Sequence, residues 1–206
     1  MPRINLSVPF TEKDAAKQLG ARWDKKKKCW YVPDYLNIKA FTRWLPNEPD
    51  ISIRSTRYFI AQNSKLCWQC NESTNVYGFI LPPGHEIREI DEEDIDKNIW
   101  RKYNNPVIVY YITDLLSTVI TQINTLSWHY RIDFSKTTQS KYWMNHCEYC
   151  GAKQGDFQMY CDPQGAFFPI DKQAASLITL HEFTEPFGCN GSTAYGNNLF
   201  GYMQRA

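Results

Sequence analysis

The first 46 residues alternate between strand-like and helix-like hydrophobic patterns. Ile4, Leu6 and Val8 alternate with polar residues, as in a strand with one buried face. Thr11 then begins a helical pattern that has acidic residues in its first turn and Gly20 as a left-handed stop. The run ARWDKKKKCWYVP predicts two aromatic strands around a turn of lysines, and residues 38–45 predict a second short helix.

The chain beyond residue 57 is richer in strand patterns. Strands are predicted at YFIA, VYGFIL, VIVYYI and SLITLHEF, and a hairpin at DFQMYC and GAFFPI. Two segments favour helices. The acidic run EIREIDEEDIDKNIW is interpreted as a solvated helix, and a pattern that begins at Asp114 places Leu115, Val119 and Ile123 on one apolar face. We expect that face to pack on the sheet that carries the cysteines described next.

Two pairs of cysteines predict a metal site. Cys67 and Cys70, in CWQC, and Cys147 and Cys150, in HCEYC, have the spacing at which one turn presents two thiolates to one metal ion. The 76 residues between the pairs far exceed the usual spacing, which is ~15–20 residues in zinc ribbons. The longer gap is physically tolerable, because the entropy of loop closure grows only logarithmically with loop length.

The residue after each pair supports this prediction. Asn71 and Gly151 are residue types that readily adopt the left-handed backbone needed to aim amides at the sulfurs. Four unrelated buried thiols are the alternative. A redox role is disfavoured because neither pair opens a helix. Three other cysteines have no Cys or His partner at ligand spacing, and we expect them not to be ligands: Cys29, Cys161 and Cys189.

These observations predict an α+β protein of two domains. Residues 1–46 form a small α/β module and residues 47–57 a linker. Residues 58–206 form a zinc-ribbon-type, β-rich domain, whose helix-containing insertion covers residues 71–146. One structural zinc ion is expected on Cys67, Cys70, Cys147 and Cys150. Four thiolates close its coordination, so that it cannot activate water.

Charge is unevenly distributed along the chain. Residues 1–46 carry ten Lys and Arg against four Asp and Glu, a formal charge of +6, whereas the remainder carries 13 against 18, or −5. A basic segment favours an anionic partner, although a merely solvated surface is the alternative. Basic side chains beside exposed rings bind single-stranded nucleic acid by holding phosphates while bases stack. The residues expected to do so are Arg22, Trp23, Lys25, Lys26, Lys27, Lys28, Trp30, Arg43 and Trp44.

The tryptophans of this set have two possible roles. Trp23 and Trp30 are predicted on adjacent strands of a domain that needs apolar area for its core, so at least one of them is expected to be buried. Trp44 is expected on the surface with Arg22, the lysines and Arg43.

The run VPFTEKDAAKQLGARWDKKKKCWYVP resembles a small domain of plasmid conjugation primases and of large polyvalent phage and plasmid proteins. This resemblance covers about the first 46 residues and implies a setting in DNA processing, without lending a catalytic residue. From Cys67 to Pro169, CWQC and NHCEYCGAKQGDF resemble the CWxC and NHCxxCGAxQGDF patterns of uncharacterised bacterial zinc-ribbon proteins. That second resemblance implies zinc but no reaction.

Membrane insertion is not expected. No apolar run reaches the ~18 residues that span a bilayer, and MPRINLSVPF lacks the pattern of a secretory leader. We expect a cytoplasmic protein, in a compartment that keeps thiols reduced.

Three classes of function remain open. The charge distribution and the primase resemblance favour a non-catalytic, zinc-binding, nucleic-acid-associated accessory protein that binds weakly through residues 1–46. The acidic segment 86–96 and the many tyrosines favour a protein-interaction module, such as an immunity or inhibitor component. An enzyme with a dispersed site is less favoured. His181 and Glu182 begin like a zinc-protease motif, but Glu185 stands where the second His is required.

Overall fold

The chain divides into two compact units, which are Met1–Glu48 and Pro49–Ala206. They are called here the N-terminal unit and the C-terminal unit. The computed structural model describes residues 4–25, 28–33, 35–44, 49–91, 98–163, 165–195 and 199–206. The protein is α+β and mostly β. Within the described residues, no helix is both long enough and apolar enough to cross a membrane.

The N-terminal unit packs one helix on a small antiparallel sheet with the strand order β1-β3-β2. Its elements are β1 (Ile4–Leu6), α1 (Lys13–Gln18), β2 (Arg22–Asp24), β3 (Cys29–Val32) and a 3₁₀ helix at Ile38–Trp44. The first predicted helix begins later than expected, because Phe10–Glu12 form a 3₁₀ turn and no side chain caps α1. The second predicted helix has 3₁₀ rather than α geometry.

The end of α1 follows from its sequence. Gly20 adopts φ +98°, as its position predicted, and the Ala21 amide donates to the Ala16 carbonyl at 3.0 Å. This turn brings the chain back over the sheet, where α1 and the 3₁₀ helix enclose a core. The buried apolar residues of that core are Leu6, Ala16, Ala21, Val32, Phe41 and Trp44.

The C-terminal unit is built on a nine-stranded sheet with the order β15-β13-β5-β6-β9-β14-β4-β7-β8, and a second sheet has the order β10-β11-β12. Neighbouring strands are antiparallel, except that β13 and β15 are parallel. The strands of the large sheet are β4 (Ile53–Ser55), β5 (Tyr58–Leu66), β6 (Ser73–Leu81), β7 (Glu86–Ile90), β8 (Asn98–Lys102), β9 (Val107–Leu115), β13 (Thr179–Phe183), β14 (Phe187–Tyr195) and β15 (Gln204–Arg205). The small sheet contains β10 (Tyr130–Ser135), β11 (Ser140–His146) and β12 (Lys153–Gln154).

Both faces of the large sheet are covered near its centre. On one face, Val119 and Ile123 of helix α2 (Ser117–Leu126) share a core with Ile60 and Phe79, which confirms that this helix packs on the sheet that carries the first cysteine pair. On the other face, Met159 and Tyr160 belong to a second core together with Ala175 of helix α3 (Lys172–Ser176). The alternation of side chains along β5 and β6 supplies both cores.

The described ends of the acidic run, residues 86–90 and 98–102, form two paired antiparallel strands rather than the predicted solvated helix. In β7 and β8, Glu86 lies opposite Lys102 and Arg88 lies opposite Trp100. Opposite charges across neighbouring strands stabilise such a pair, as between Arg101 and Glu89 at 2.8 Å. The residues 92–97 of the acidic run lie outside the described part of the chain.

The predicted hairpin at DFQMYC and GAFFPI is also wrong. Phe157–Cys161 form a π-helix, and no strand follows within the described residues until β13. The π-helix buries Met159 and Tyr160 against the sheet, and the Phe167 amide donates to the Met159 carbonyl at 2.9 Å. The apolar residues have the spacing of a strand but lie in a helix, because this segment packs on a face of the sheet and does not pair with its edge.

The segment between the cysteine pairs does not lie apart from the sheet. It supplies β6 and β9, two strands of the sheet's centre, as well as the small sheet's β10 and β11. Ile53–Ser55, within the predicted linker 47–57, forms β4 and pairs with β14 and β7. Both segments therefore contribute to the core of the C-terminal unit.

A buried amide joins the two sheets. Along β6, pairing with β9 begins only at Phe79, so the backbone of Tyr77 has no strand on that side. Asn145 of β11 takes this place: its Oδ1 accepts from the Tyr77 amide at 2.7 Å, and its Nδ2 donates to the Tyr77 carbonyl at 2.8 Å. Farther along the same edge, the Asn75 amide donates to Glu148 at 3.1 Å, and the Glu148 amide donates to the Thr74 hydroxyl at 3.0 Å.

Replacing Asn145 with leucine should strongly destabilise the C-terminal unit. The substitution leaves the buried Tyr77 N–H without a partner, which costs roughly 1–3 kcal/mol. The Tyr77 carbonyl loses one of two donors and keeps the Tyr160 hydroxyl at 3.3 Å. Urea unfolding followed by circular dichroism measures the loss of unfolding free energy. Asn104→Leu is the matched control, because Asn104 is exposed. Equal stability of the two variants would contradict the proposed role of Asn145.

Candidate metal centre and nucleic-acid interface

Each cysteine pair occupies a tight turn between two strands. Cys67 and Cys70 lie between β5 and β6, whereas Cys147 and Cys150 lie between β11 and β12. The two turns repeat the same bonding, because the amide after each pair donates to the carbonyl of its first cysteine, at 2.9 Å for Asn71 and 3.0 Å for Gly151.

The predicted left-handed backbone is confirmed at both turns. The φ angle is 59° at Asn71 and 73° at Gly151. Residues with a short polar side chain or none adopt this conformation at little cost. The same local geometry therefore arises twice, once in each sheet.

The four sulfurs converge on one point. All lie within 4.8 Å of one another, and two Sγ–Sγ distances, Cys67 to Cys150 and Cys70 to Cys147, are 3.6 Å. Tetrahedral coordination with ~2.3 Å bonds to sulfur requires sulfurs ~3.8 Å apart. Among the described residues this is the one cluster of three or more metal-ligating side chains. The four cysteines can hold a metal ion.

The backbone of each turn favours the thiolate of its first cysteine, whereas the neighbouring sulfurs contribute to a raised pKa at Cys70 and Cys150. Burial opposes ionisation of Cys67, but hydrogen bonds from the amides of Cys70 and Gln69 outweigh it and lower the pKa of this thiol to about 6. At Cys147 burial again opposes ionisation, and the amides of Cys150 and Tyr149 lower the pKa. A side chain adds to this at Cys67, where Gln154 Nε2 lies 3.3 Å from the sulfur. A lowered thiol pKa assists metal binding, because the thiolate is the ligand.

The histidine next to the second pair faces away from the sulfurs. His146 is buried, and its Nε2 lies 3.1 Å from the Asp133 carboxylate while its Nδ1 lies 3.2 Å from the His129 carbonyl. The hydrogen bond from His146, together with that from Lys153, holds the pKa of Asp133 well below its usual range. His146 thus supports β10 and β11, and Cys147 alone of these two neighbours joins the cluster.

The remaining cysteines and the incomplete protease motif lie outside this cluster. Cys189 is buried, Cys29 is half-buried and Cys161 is exposed. His181 Nε2 lies 3.0 Å from Gln62 Oε1, and Glu182 pairs with Arg57 at 3.3 Å. His181 and Glu182 therefore have partners in the fold.

The basic residues predicted to bind nucleic acid are exposed where the structure describes them. Arg22 lies in β2, Lys25 and Lys28 lie in the turn between β2 and β3, and Arg43 lies near the end of the 3₁₀ helix. Lys26 and Lys27 lie outside the described residues. Lys28 adopts a φ angle of 50°, which fits its place in a tight turn.

The tryptophans divide between surface and core. Trp23 is 48% exposed, whereas Trp30 is half-buried and packs against the core. Their rings meet edge to face at 5.6 Å across β2 and β3. The expectation that at least one of the two contributes to the core is confirmed by Trp30.

Trp44, expected on the surface, is 1% exposed. Its ring packs 6.3 Å from that of Phe41, and its indole N–H donates to Glu12 Oε2 at 2.7 Å. The guanidinium of Arg43 covers the ring at 4.0 Å. A small domain buries a tryptophan when its N–H finds a partner, so Trp44 has no free face for a base.

Tyr35 is an exposed ring that the sequence did not single out. It is 68% exposed, and its hydroxyl accepts a hydrogen bond from the Arg22 guanidinium at 3.0 Å. This places a second accessible ring beside a cation of the basic set. Tyr35 lies two residues after Pro33, where the chain leaves β3, and this position is the one signal in the sequence that favours its exposure.

Residues 3–46 match the protein family described as "Domain of unknown function (DUF5710)". Over 42 residues, the chain is 50% and 49% identical to two proteins named "DNA primase TraC" from Escherichia coli. These 42 residues are 20% of this chain but only 4% and 3% of the two primases, so that the chain spans a small fraction of the relatives it matches. No solved structure matches the chain. The basic, aromatic segment at the N-terminus is therefore similar to the DUF5710 family and to a short part of these primases.

Proposed function

We propose that this protein is a zinc-binding, nucleic-acid-associated accessory protein. The N-terminal unit binds single-stranded nucleic acid weakly, through phosphates and stacked bases, and the four cysteines hold one structural zinc ion. The observation that carries this proposal is the exposed basic and aromatic surface of a domain whose relatives are named DNA primases.

The composition of that surface supports binding to a single strand. Arg22, Lys25, Lys28 and Arg43 offer cations to phosphates, and Trp23 offers an exposed ring. Aromatic rings bind bases of any identity, because every base has a π face. Such a surface gives affinity without reading sequence, which suits an accessory role. Tyr35, held by Arg22, extends the stacking surface.

Zinc is the metal that the donor set favours. Four thiolates in a tetrahedral arrangement suit zinc or iron, and two C-x-x-C turns are typical of structural zinc sites. A four-coordinate ion has no open position for water or substrate. We therefore assign the ion a structural role and no catalytic one. The resemblance of residues 67–169 to bacterial zinc-ribbon proteins stays a prediction that agrees with this assignment.

A protein partner is the second candidate. The observation that favours it is one exposed ring in each cysteine turn, because Trp68 is 65% and Tyr149 is 67% exposed. Exposed aromatic residues are common anchors at protein interfaces. This candidate becomes the better one if nucleic acid does not bind.

Removal of one ligand should cost the protein its metal. We expect Cys147→Ser to lose one equivalent of zinc and the cooperative unfolding of the C-terminal unit, because zinc binding contributes directly to folding free energy in small zinc domains. Elemental analysis of the purified protein and thermal melting measure the two effects. Cys161→Ser is the control, since Cys161 is exposed and outside the cluster. One tightly held zinc in Cys147→Ser, with unchanged melting, would exclude the assignment.

The lysine turn should determine the salt dependence of binding. With a single strand, the slope of log K against log salt is about −0.7 per neutralised phosphate. We expect alanine at all four positions from Lys25 to Lys28 to flatten that slope in fluorescence anisotropy titrations at several salt concentrations. The control removes four lysines of the C-terminal unit: Lys65, Lys102, Lys136 and Lys141. If the wild-type protein bound neither DNA nor RNA at low salt, the nucleic-acid function would be rejected.

Trp23 should contribute to affinity without changing the salt dependence. Loss of a stacking ring costs roughly 1–3 kcal/mol per base, so Trp23→Ala should weaken binding while the slope stays as in the wild-type protein. The same titrations report both quantities. Leu19→Ala is the control, because Leu19 is another exposed apolar residue of the unit. An unchanged affinity in Trp23→Ala would remove stacking from the proposal.

A further inference from the structure

A cleft of about 830 Å³ opens beside the second cysteine turn of the C-terminal unit. This volume lies in the range of pockets that enclose small organic ligands, roughly 300–1,000 Å³. Five aromatic rings line the cleft, contributed by Trp68, Tyr111, Phe134, Tyr142 and Phe157. The proposed nucleic-acid surface belongs to the other unit. The cleft shares Cys150 with the metal centre and Trp68 with the surface offered to a protein partner, and its remaining lining has no role in the function described so far.

One carboxyl group that lines the cleft has an oxygen without a hydrogen-bond partner. Asp156 lines the cleft and is 1% exposed. Its Oδ2 accepts a hydrogen bond from the Tyr111 amide at 2.7 Å, whereas its Oδ1 has no hydrogen-bond partner within the described residues. A buried polar atom without a partner is costly to the fold. An unpaired carboxyl oxygen in a cleft of this size therefore points to a ligand that supplies the missing donor.

The groups around this carboxyl do not neutralise its charge. The ionisable side chains that face it come from β9, β10, β11 and the π-helix, and all are tyrosines: Tyr110, Tyr111, Tyr130, Tyr142 and Tyr160. Burial raises the pKa of each of these hydroxyls, so they are neutral near pH 7. Burial also raises the pKa of Asp156 to about 7. The carboxyl thus has no cationic partner among the described residues.

The backbone around Asp156 is unusual in two places. Tyr111 lies inside β9 with a φ angle of 48°, a left-handed conformation that bulky residues rarely adopt. This conformation accompanies the hydrogen bond from its amide to Asp156. Directly after Asp156 the chain forms the π-helix, a geometry often found at functional sites. Strained backbone persists where the surrounding structure fixes it, and it concentrates at ligand sites.

We propose that this cleft binds an organic cation of the guanidinium or ammonium class. The N–H group of the ligand donates to Asp156 Oδ1, and its positive charge lies against the aromatic walls, which attract cations through their π faces. A guanidinium group matches both features, because it is flat and carries its donors at its edge.

The charges at the cleft favour a cation over a nucleotide. The cationic residues among those described as lining it are Lys136 and Lys153. Lys153 is already held by Asp133, with Nζ and Oδ1 3.0 Å apart. A phosphate would therefore meet one exposed lysine at the rim and an unpaired carboxyl inside. A cation would be attracted by the unpaired carboxyl inside the cleft and would be repelled only by the one lysine at the rim, so its binding is favourable.

Calorimetric titration of the full, metal-containing protein with N-acetyl-arginine amide tests the proposal. N-acetyl-citrulline amide has the same shape without the charge, and we expect it to bind at least about tenfold more weakly. Methylguanidinium distinguishes the two sources of the cation. Equal affinity supports a free small molecule, and a much weaker affinity supports the side chain of a peptide. Affinity should fall as the pH is lowered through about 7, where Asp156 becomes protonated.

Two variants localise the binding. Asp156→Asn keeps an acceptor for the Tyr111 amide and should lose at least about tenfold in affinity. Because ionising a buried carboxyl opposes folding above its raised pKa, this variant should melt no lower than the wild-type protein at pH 8. Phe157→Leu removes an exposed ring of the wall and should weaken binding by about threefold. If Asp156→Asn failed to fold, Phe157→Leu would decide the test alone.

The control and the contrary outcomes are equally specific. Asp162→Asn changes an exposed carboxyl outside the lining and should bind as the wild-type protein does. The proposal is overturned if arginine and citrulline amides bind equally, if neither binds, or if Asp156→Asn retains full affinity. Tighter binding of cytidine monophosphate than of arginine amide would also overturn it, in favour of a nucleotide site.

Discussion

The edge of β6 between Thr74 and Tyr77 is the junction on which the C-terminal unit depends. Here the large sheet lacks a strand, and side chains of the second sheet complete the hydrogen bonds that a strand would supply. Buried backbone groups must be paired, so this arrangement fixes both the distance and the rotation of one sheet on the other. The cysteine turns and the aromatic cleft are both built from segments that meet at this junction.

The local features of the candidate sites could be predicted from sequence, because short-range chemistry determines them. A C-x-x-C spacing followed by Asn71 or Gly151 is enough to predict the turn, and Gly20 is enough to predict the end of α1. The paired aromatic strands of the N-terminal unit follow from period-two alternation around a lysine turn. In each case the residues that decide the structure are near neighbours in the chain.

The parts that could not be predicted depend on contacts between distant residues. Nothing near Asn145 indicates that its amide would serve as a strand partner for Tyr77. The apolar spacing at residues 156–161 fits a strand, but the segment covers a sheet and becomes a π-helix. The sequence predicts an exposed Trp44 beside the basic Arg43. Its indole is buried because its N–H donates to Glu12, which is distant in the chain. The significance of Asp156 likewise depends on tyrosines from four separate elements.

The division of the four sulfurs between two sheets has a consequence for the order of folding. Each hairpin can form its own turn early, because its cysteines are three positions apart in the chain. Two thiolates alone make an incomplete ligand set, so tight binding of a metal ion would require β11 to dock on β6 and close a loop of more than seventy residues. Metal uptake would then be a late event that reports assembly of the whole unit. Until then, the nucleophilic thiols of both turns would be accessible to oxidants on a chain whose two sheets have not yet docked.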